Sequence, residues 1–393
     1  MAVAPPVPAP GAVRGLPALL ALLLLGTGLP AGAATIHVPS DQPTVQAAID
    51  VALPGDTVLV APGVYTGPGN RDVDTEGKGI VIRSEAGAAV TVLDAGGSET
   101  DPHRCFEFHS GEPATTRIEG FTLRGGWVTS PYPDDMGGAV LCRGDAAPVF
   151  ADCCFEGNSA YGVGGGLAAI GAAPTVLGCT FTQNEIRHPS GDGGGIYAWH
   201  GTVTIEDSAF YDNQAHEGAG VCVATSSNVV VRRCVFALNQ ATSTGHAGSG
   251  VIVVGAYALI ESCTFSDNVT GPDGYTVALV SDAGFVERNI VSGATGNGLF
   301  CSSTTYCDCC DVWQSAGVNF DGGFPGTHNF SADPEFCDSP GLDFTIRQSS
   351  PCAAAHTPAA CDLIGALGVG CGPVAIDATT WGAIKASFAG TML

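Results

Sequence analysis

Apolar positions along this chain come in short alternating runs, TVLG, GTVTIED, NVVVRRCVF and YALIESCTF, each bounded by glycine or a polar corner. Alternation with a period of two marks half-buried strands, and the 3.6-residue spacing of an amphipathic helix is absent here. The runs also recur. GCTFTQN at 178–184 has near-copies in DCCFEGN at 152–158, RCVFALN at 233–239 and SCTFSDN at 262–268, with a degenerate version, DSAFYDN, at 207–213. Ahead of each stand glycines and one aliphatic residue: GGAV at 137–140, GGGL at 164–167, GGGI at 193–196, GAGV at 218–221 and GSGV at 248–251. The step from aliphatic residue to phenylalanine is 14 or 15 residues every time, inside a full period of 25 to 30.

A period of this length signals stacked structural units. Short β-branched runs without tight hairpin signals between them predict coils of a right-handed parallel β-helix, stacked at about 4.8 Å, the ordinary inter-strand spacing. Cysteine and phenylalanine two residues apart on a strand point to the same side, so both should line the interior as ladders. Asn158, Asn184, Asn213, Asn239 and Asn268 should stack at a corner where the chain turns through a left-handed backbone conformation that asparagine tolerates. Strand-like pieces from DTVLV to TRIEGFTLRGG add about three coils before Val140, for eight to ten in all. Upstream, SDQPTVQAAIDVALPGDTV predicts a short helix capped by Ser40 or Asp41, with Val45, Ala48, Ile49 and Ala52 on one face. Such a helix would cover the open apolar end of the first coil, as terminal units of repeat proteins must. The expected fold class is therefore all-β, a solenoid with an N-terminal capping helix.

The two ends and the charge refine this picture. Arg14, the run LPALLALLLLGTGL and the small-residue stretch around Ala31-Gly32-Ala33 have the layout of a cleaved secretory signal over 1–34, too short to span a bilayer comfortably. No later stretch predicts a transmembrane span. A secreted product, at the cell surface, in the periplasm or in the medium, would let the 16 cysteines form lasting disulfides. Eight follow the repeats from Cys105 to Cys263, and eight crowd the last quarter from Cys301 to Cys371. The second set predicts a disulfide-rich cap over 297–371 whose pairing spacing cannot give. CDCC at 307–310 lacks the second pair a zinc site requires. Residues 372–393 form a tail in which Trp381, Lys385 and Phe388 would share one side of a short helix. A formal net charge of −24 argues against nucleic acid, and against polyanions unless a divalent cation such as calcium intervenes.

Three groups of phrases carry a family resemblance: TVQAAIDVALPGDTVLVAPGVYTG, the GGGL and CTFTQN repeats, and the closing ADPEFCDSPGLDFTI, SSPCA and DLIGALGVGC. Over about residues 35 to 371 the chain resembles secreted bacterial right-handed parallel β-helix repeat proteins of the pectin-lyase-like superfamily. The resemblance implies the fold and leaves activity open, since the superfamily holds lyases, hydrolases, esterases and adhesins. The phrases of its pectinases are incomplete here. GDGGG at 191–195 and WHG at 199–201 stand without an NTD or RIK, and no recognisable arginine base lies among calcium-binding carboxylates.

One constellation could carry chemistry. Loops of varied length leave the tube between each asparagine and the next glycine cluster, all at one corner. Registered on that cluster, Asp192 and Glu217 fall one rung apart, with Asp135, His216 and His246 in the neighbouring column. Carboxylates this close suit a retaining glycosidase or a calcium ion. Tyr132, Tyr161 and Trp199 lie in or near the same face as surfaces on which sugar rings could stack, and His188 sits in the same loops. The expectation is a secreted, non-catalytic and monomeric β-helix protein that presents this face to an extracellular polysaccharide or surface partner. The alternative is a carbohydrate-active lyase or glycoside hydrolase.

Overall fold

A computed structural model describes residues 32–371, apart from residues 130, 226, 244, 246, 281, 282 and 359. The expected signal therefore lies almost wholly outside the described residues, and the tail at 372–393 lies outside them entirely. From residue 35 on, the chain winds into coils of short strands, with a fourth side added in five coils from Trp127–Val128 to Gln240–Ala241. In one of these five the sides are Leu167–Ile170, Thr175–Leu177, Thr180–Thr182 and Glu185–Ile186. Each pairs in parallel with its counterpart in the next coil: Ile196–Trp199, Thr202–Glu206, Ala209–Tyr211 and Gln214–Ala215. Ten third-side strands stack from Gly63–Thr66 to Asp311–Trp313, which makes ten coils among the described residues.

The repeated phrase is explained by what fills the tube. Phe155, Phe181, Phe210, Phe236 and Phe265 are fully buried and stacked face on face, with centroids 4.2, 4.9, 4.6 and 4.8 Å apart and planes within 9°. Glycine ahead of the first-side strand makes room for them. A Cβ on Gly195 would lie 2.9 Å from the Phe210 ring. Cys153, Cys179, Cys234 and Cys263 line the interior two residues before each phenylalanine, and each thiol donates to a backbone carbonyl. Ser208 stands in the same ladder and its hydroxyl donates to Glu206 O at 2.8 Å, so the substitution in the degenerate repeat preserves the hydrogen bond.

The asparagines are completely buried and form the expected ladder. The left-handed residue, however, is the one before each: Gln183, Asp212, Leu238 and Asp267 have φ of 55°, 51°, 61° and 53°. Asparagine is needed for its amide rather than its backbone tolerance. Its Oδ1 satisfies two donors of the preceding coil, and its Nδ2 donates to a carbonyl there.

At the N-terminal side a helix spans Val45–Val51 and buries Val45, Ala48 and Ile49 in the same core as Val38, Val58 and Val60. Its N-cap is Thr44, whose Oγ accepts from Ala47 N–H at 3.2 Å, not Ser40 or Asp41, because the chain stays irregular until Val45. At the other side, Phe336–Asp338 and Asp343–Ile346 form a small antiparallel pair. Disulfides join Cys301 to Cys307, Cys309 to Cys361 and Cys337 to Cys371. The CDCC cysteines thus go separate ways, with Cys310 a free thiol inside the tube.

Candidate functional site

The loop corner is built by a bend at the first glycine of each cluster. Gly137, Gly164, Gly193 and Gly218 have φ of 68°, 69°, 73° and 59°, a region that glycine enters without penalty. At Gly193 the chain doubles back so closely that an added Cβ would sit 2.6 Å from Ile196 O and 2.7 Å from Tyr197 Cβ. The residue before each bend is thereby laid over the outward face of the strand that follows.

This places Asp192 and Glu217 on adjacent rungs, as their register predicts: Glu217 N–H donates to Asp192 Oδ1 at 3.1 Å. His216 Nδ1 lies 3.5 Å from the same oxygen, and Ser243 Oγ donates to Glu217 Oε1 at 3.1 Å. Tyr197 and Cys222, paired across the strands beneath, form the apolar floor. Burial against this floor, and then the charge of Glu217, push the Asp192 carboxyl up to about 6, while His216 acts in the opposite direction. Two carboxylates and one hydroxyl fall short of the six to eight oxygens a calcium ion takes, and an imidazole flanks one of them. The cluster is better built to hold a proton than a cation.

The remaining site residues separate. Asp135 is not beside His216. Gly162 and Gly191 occupy the intervening rungs of its column, so the two are three coils, about 14 Å, apart at the usual strand spacing. The coil contributing Val163 and Gly162 intervenes without a charge. His246 lies outside the described residues. Tyr161 and His188 meet edge to face at 5.2 Å, and the Arg187 guanidinium covers the Trp127 ring at 4.1 Å, so this corner does carry aromatic rings. Tyr132 is exposed in its loop. Trp199 sits at the far end of its strand from the bend, beyond Tyr197, against His200.

A second feature escaped the sequence reading. On the second side, Tyr257, Phe285 and Tyr306 are 42 %, 41 % and 43 % exposed and follow one another coil by coil, with centroids 6.5 and 6.1 Å apart. Leu259, Phe285 and Tyr306 stand directly across from one another. The charges alongside are mutually engaged: Arg232 pairs with Glu206 and Glu261, and Arg288 with Glu261 and Glu287. Outward positions in strands of period two would have revealed the stripe, had the second side been aligned separately from the first.

Residues 138–312 match the family described as "Right handed beta helix region". With ten parallel coils among the described residues, the fold of the chain is a right-handed parallel β-helix. The metabotropic glutamate receptor-like protein R of Dictyostelium discoideum is 26% identical over 166 residues, 40% of this chain and 10% of that protein. The chain thus spans about a tenth of that relative's length. A solved PL6 family polysaccharide lyase from Pseudopedobacter saltans is 14% identical with a TM-score of 0.36, covering 89% of this chain and 95% of its own. That score is too low to carry strand correspondence or activity from one chain to the other. No helix among the described residues is long and apolar enough to cross a membrane.

Proposed function

We propose that this is a secreted β-helix protein that binds an extracellular, uncharged polysaccharide along its side. The observation carrying this reading is the stripe of Tyr257, Phe285 and Tyr306, half-exposed rings on successive coils. Aromatic rings on successive coils, set edge to face, suit the C–H faces of sugar rings, while the Tyr306 hydroxyl, which donates to Asp308 Oδ2 at 2.9 Å, keeps an acceptor for a sugar hydroxyl. The net charge of −24 favours an uncharged chain over a polyuronate. Three disulfides toward the C-terminal end support export, because such bonds persist outside the reducing cytosol. A glycan array read with the parent and with Phe285→Ala/Tyr306→Ala tests it. Binding of an uncharged glycan that the double variant loses is expected; an array on which the parent binds nothing refutes the reading.

One observation favours a catalytic alternative. Asp192, pushed up to about 6 beside Glu217, is a carboxylic acid held near neutrality next to a second carboxyl group, the division of roles on which acid–base cleavage of glycosides depends. Release of reducing ends from glycans by the parent, abolished in Asp192→Asn, would move the function to this pair.

A further inference from the structure

A cleft of about 520 Å³ opens between the third side of the last coils and the C-terminal segment at 333–349, a size typical of small-molecule sites. It lies apart from both the loop corner and the aromatic stripe. Its wall on the tube comes from strands in register: Ser266, Ser292 and Trp313 follow one another rung by rung, with Asp267 and Gln314 at the adjoining corner. The opposite wall carries Asp333, Glu335 and Arg347.

Several of these groups are held in place by the chain itself. Asp333 Oδ1 accepts the Glu335 N–H at 2.8 Å, Ser349 Oγ donates to Glu335 Oε2, and Ser266 Oγ donates to Asp267 Oδ2 at 2.7 Å. Arg347 is anchored through its backbone, its N–H donating to Glu335 O at 3.0 Å. Its guanidinium enters no ion pair among the described residues, although three carboxylates share the cleft. In so acidic a chain, most other described cations are engaged with carboxylates. An unengaged guanidinium, a half-buried indole and fixed carboxylates facing one opening are a donor, an apolar plate and acceptors for the same ligand.

We infer that this cleft is a second binding site, for a short uncharged saccharide or the end of a glycan chain. Trp313 would take the C–H face of one sugar ring. The Arg347 guanidinium would donate to ring or hydroxyl oxygens, and Asp333 and Glu335 would accept from pairs of sugar hydroxyls through charge-assisted hydrogen bonds. Three carboxylates against one guanidinium leave the lining negative, so a uronate is disfavoured and an uncharged sugar is selected.

The test is calorimetric titration of the full chain with cellohexaose, mannohexaose and laminarihexaose, with hexagalacturonate as the charged counterpart. Binding of at least one uncharged hexamer is expected. It should be weakened tenfold or more by Arg347→Ala, which alters an exposed side chain, and by Trp313→Ala, while Trp313→Phe retains most of it. The inference is overturned if no uncharged hexamer binds, if hexagalacturonate binds more tightly, or if Arg347→Ala and Trp313→Ala bind as the parent does. It is also overturned if affinity is lost only in Phe285→Ala/Tyr306→Ala, an outcome that leaves the stripe, and the function proposed from it, standing.

Discussion

Asn213 Oδ1 accepts two hydrogen bonds from Asn184, one from its backbone N–H at 3.1 Å and one from its Nδ2 at 2.9 Å. Asn213 in turn donates both its N–H and its Nδ2 to Asn239 Oδ1, and Nδ2 also reaches Phe181 O at 3.0 Å. Each amide is thus acceptor for one coil and donor to the next, and nothing about it is free to bind a ligand. Asn213→Ala strips both neighbours of partners in a dry interior. The expected loss is about 2–4 kcal/mol, since each buried unpaired group costs roughly 1–3 kcal/mol. An urea-unfolding midpoint equal to that of the parent would contradict this.

The phenylalanine stack predicts a loss of a different kind. Phe210 lies between Phe181 at 4.9 Å and Phe236 at 4.6 Å, with the backbone of Gly195 against its edge. Truncating it leaves a cavity that parallel strands on every side cannot close. Phe210→Ala should cost about 3–5 kcal/mol, the usual range for a fully buried ring. Phe210→Leu should recover a substantial part, as followed by thermal unfolding.

Stability should respond to pH at Asp192. Its folded carboxyl titrates near 6, above the ordinary value of 3.8, so folding disfavours the ionised form. Well below pH 3.8 the group is protonated in both folded and unfolded chains and the penalty vanishes; it grows as pH rises from there toward 6 and is complete above it. Asp192→Asn removes the charge and keeps an acceptor for Glu217 N–H. It should stabilise the protein at pH 7 by about 1–2 kcal/mol, given partial solvation, and have no stabilising effect at about pH 2.5. Equal effects at both pH values would count against this environment for Asp192.

Thiol chemistry should separate the two cysteine populations. Ten cysteines are free, nine of them buried, and six are joined in three disulfides. Alkylation of the native protein should leave the ladder thiols untouched. Unfolding without reductant should expose ten reactive thiols, and reduction six more, counted by mass spectrometry. A different count would revise the pairing.

Binding by the second side should be separable from folding. Phe285 and Tyr306 are more than two-fifths exposed, so Phe285→Ala/Tyr306→Ala removes little buried area. A melting temperature within a few degrees of the parent, together with at least tenfold weaker binding of uncharged glycan, is the expected result. Unchanged affinity would place glycan recognition elsewhere.

The sequence alone determined the solenoid. Phe155 to Phe265 recur at a fixed step behind glycine, and identical residues at identical positions in successive coils can only stack, so the interior ladders and the asparagine column were legible without coordinates. Adjacency of Asp192 and Glu217 was legible for the same reason, because the glycine bend is one residue away and fixes their rung. Tertiary structure decided the rest. Asp135 drops out of the constellation because two glycine rungs separate it from His216, and loops of unequal length hide how many coils intervene. The stripe of Tyr257, Phe285 and Tyr306 comes from strands whose outward residues carry no repeated letter. The cleft beside Trp313 exists only because residues 333–349 fold back onto coils wound earlier. Local pattern dictates what lies directly above and below in a stack, whereas contacts made sideways, between a wall and a returning segment, depend on packing that no period encodes.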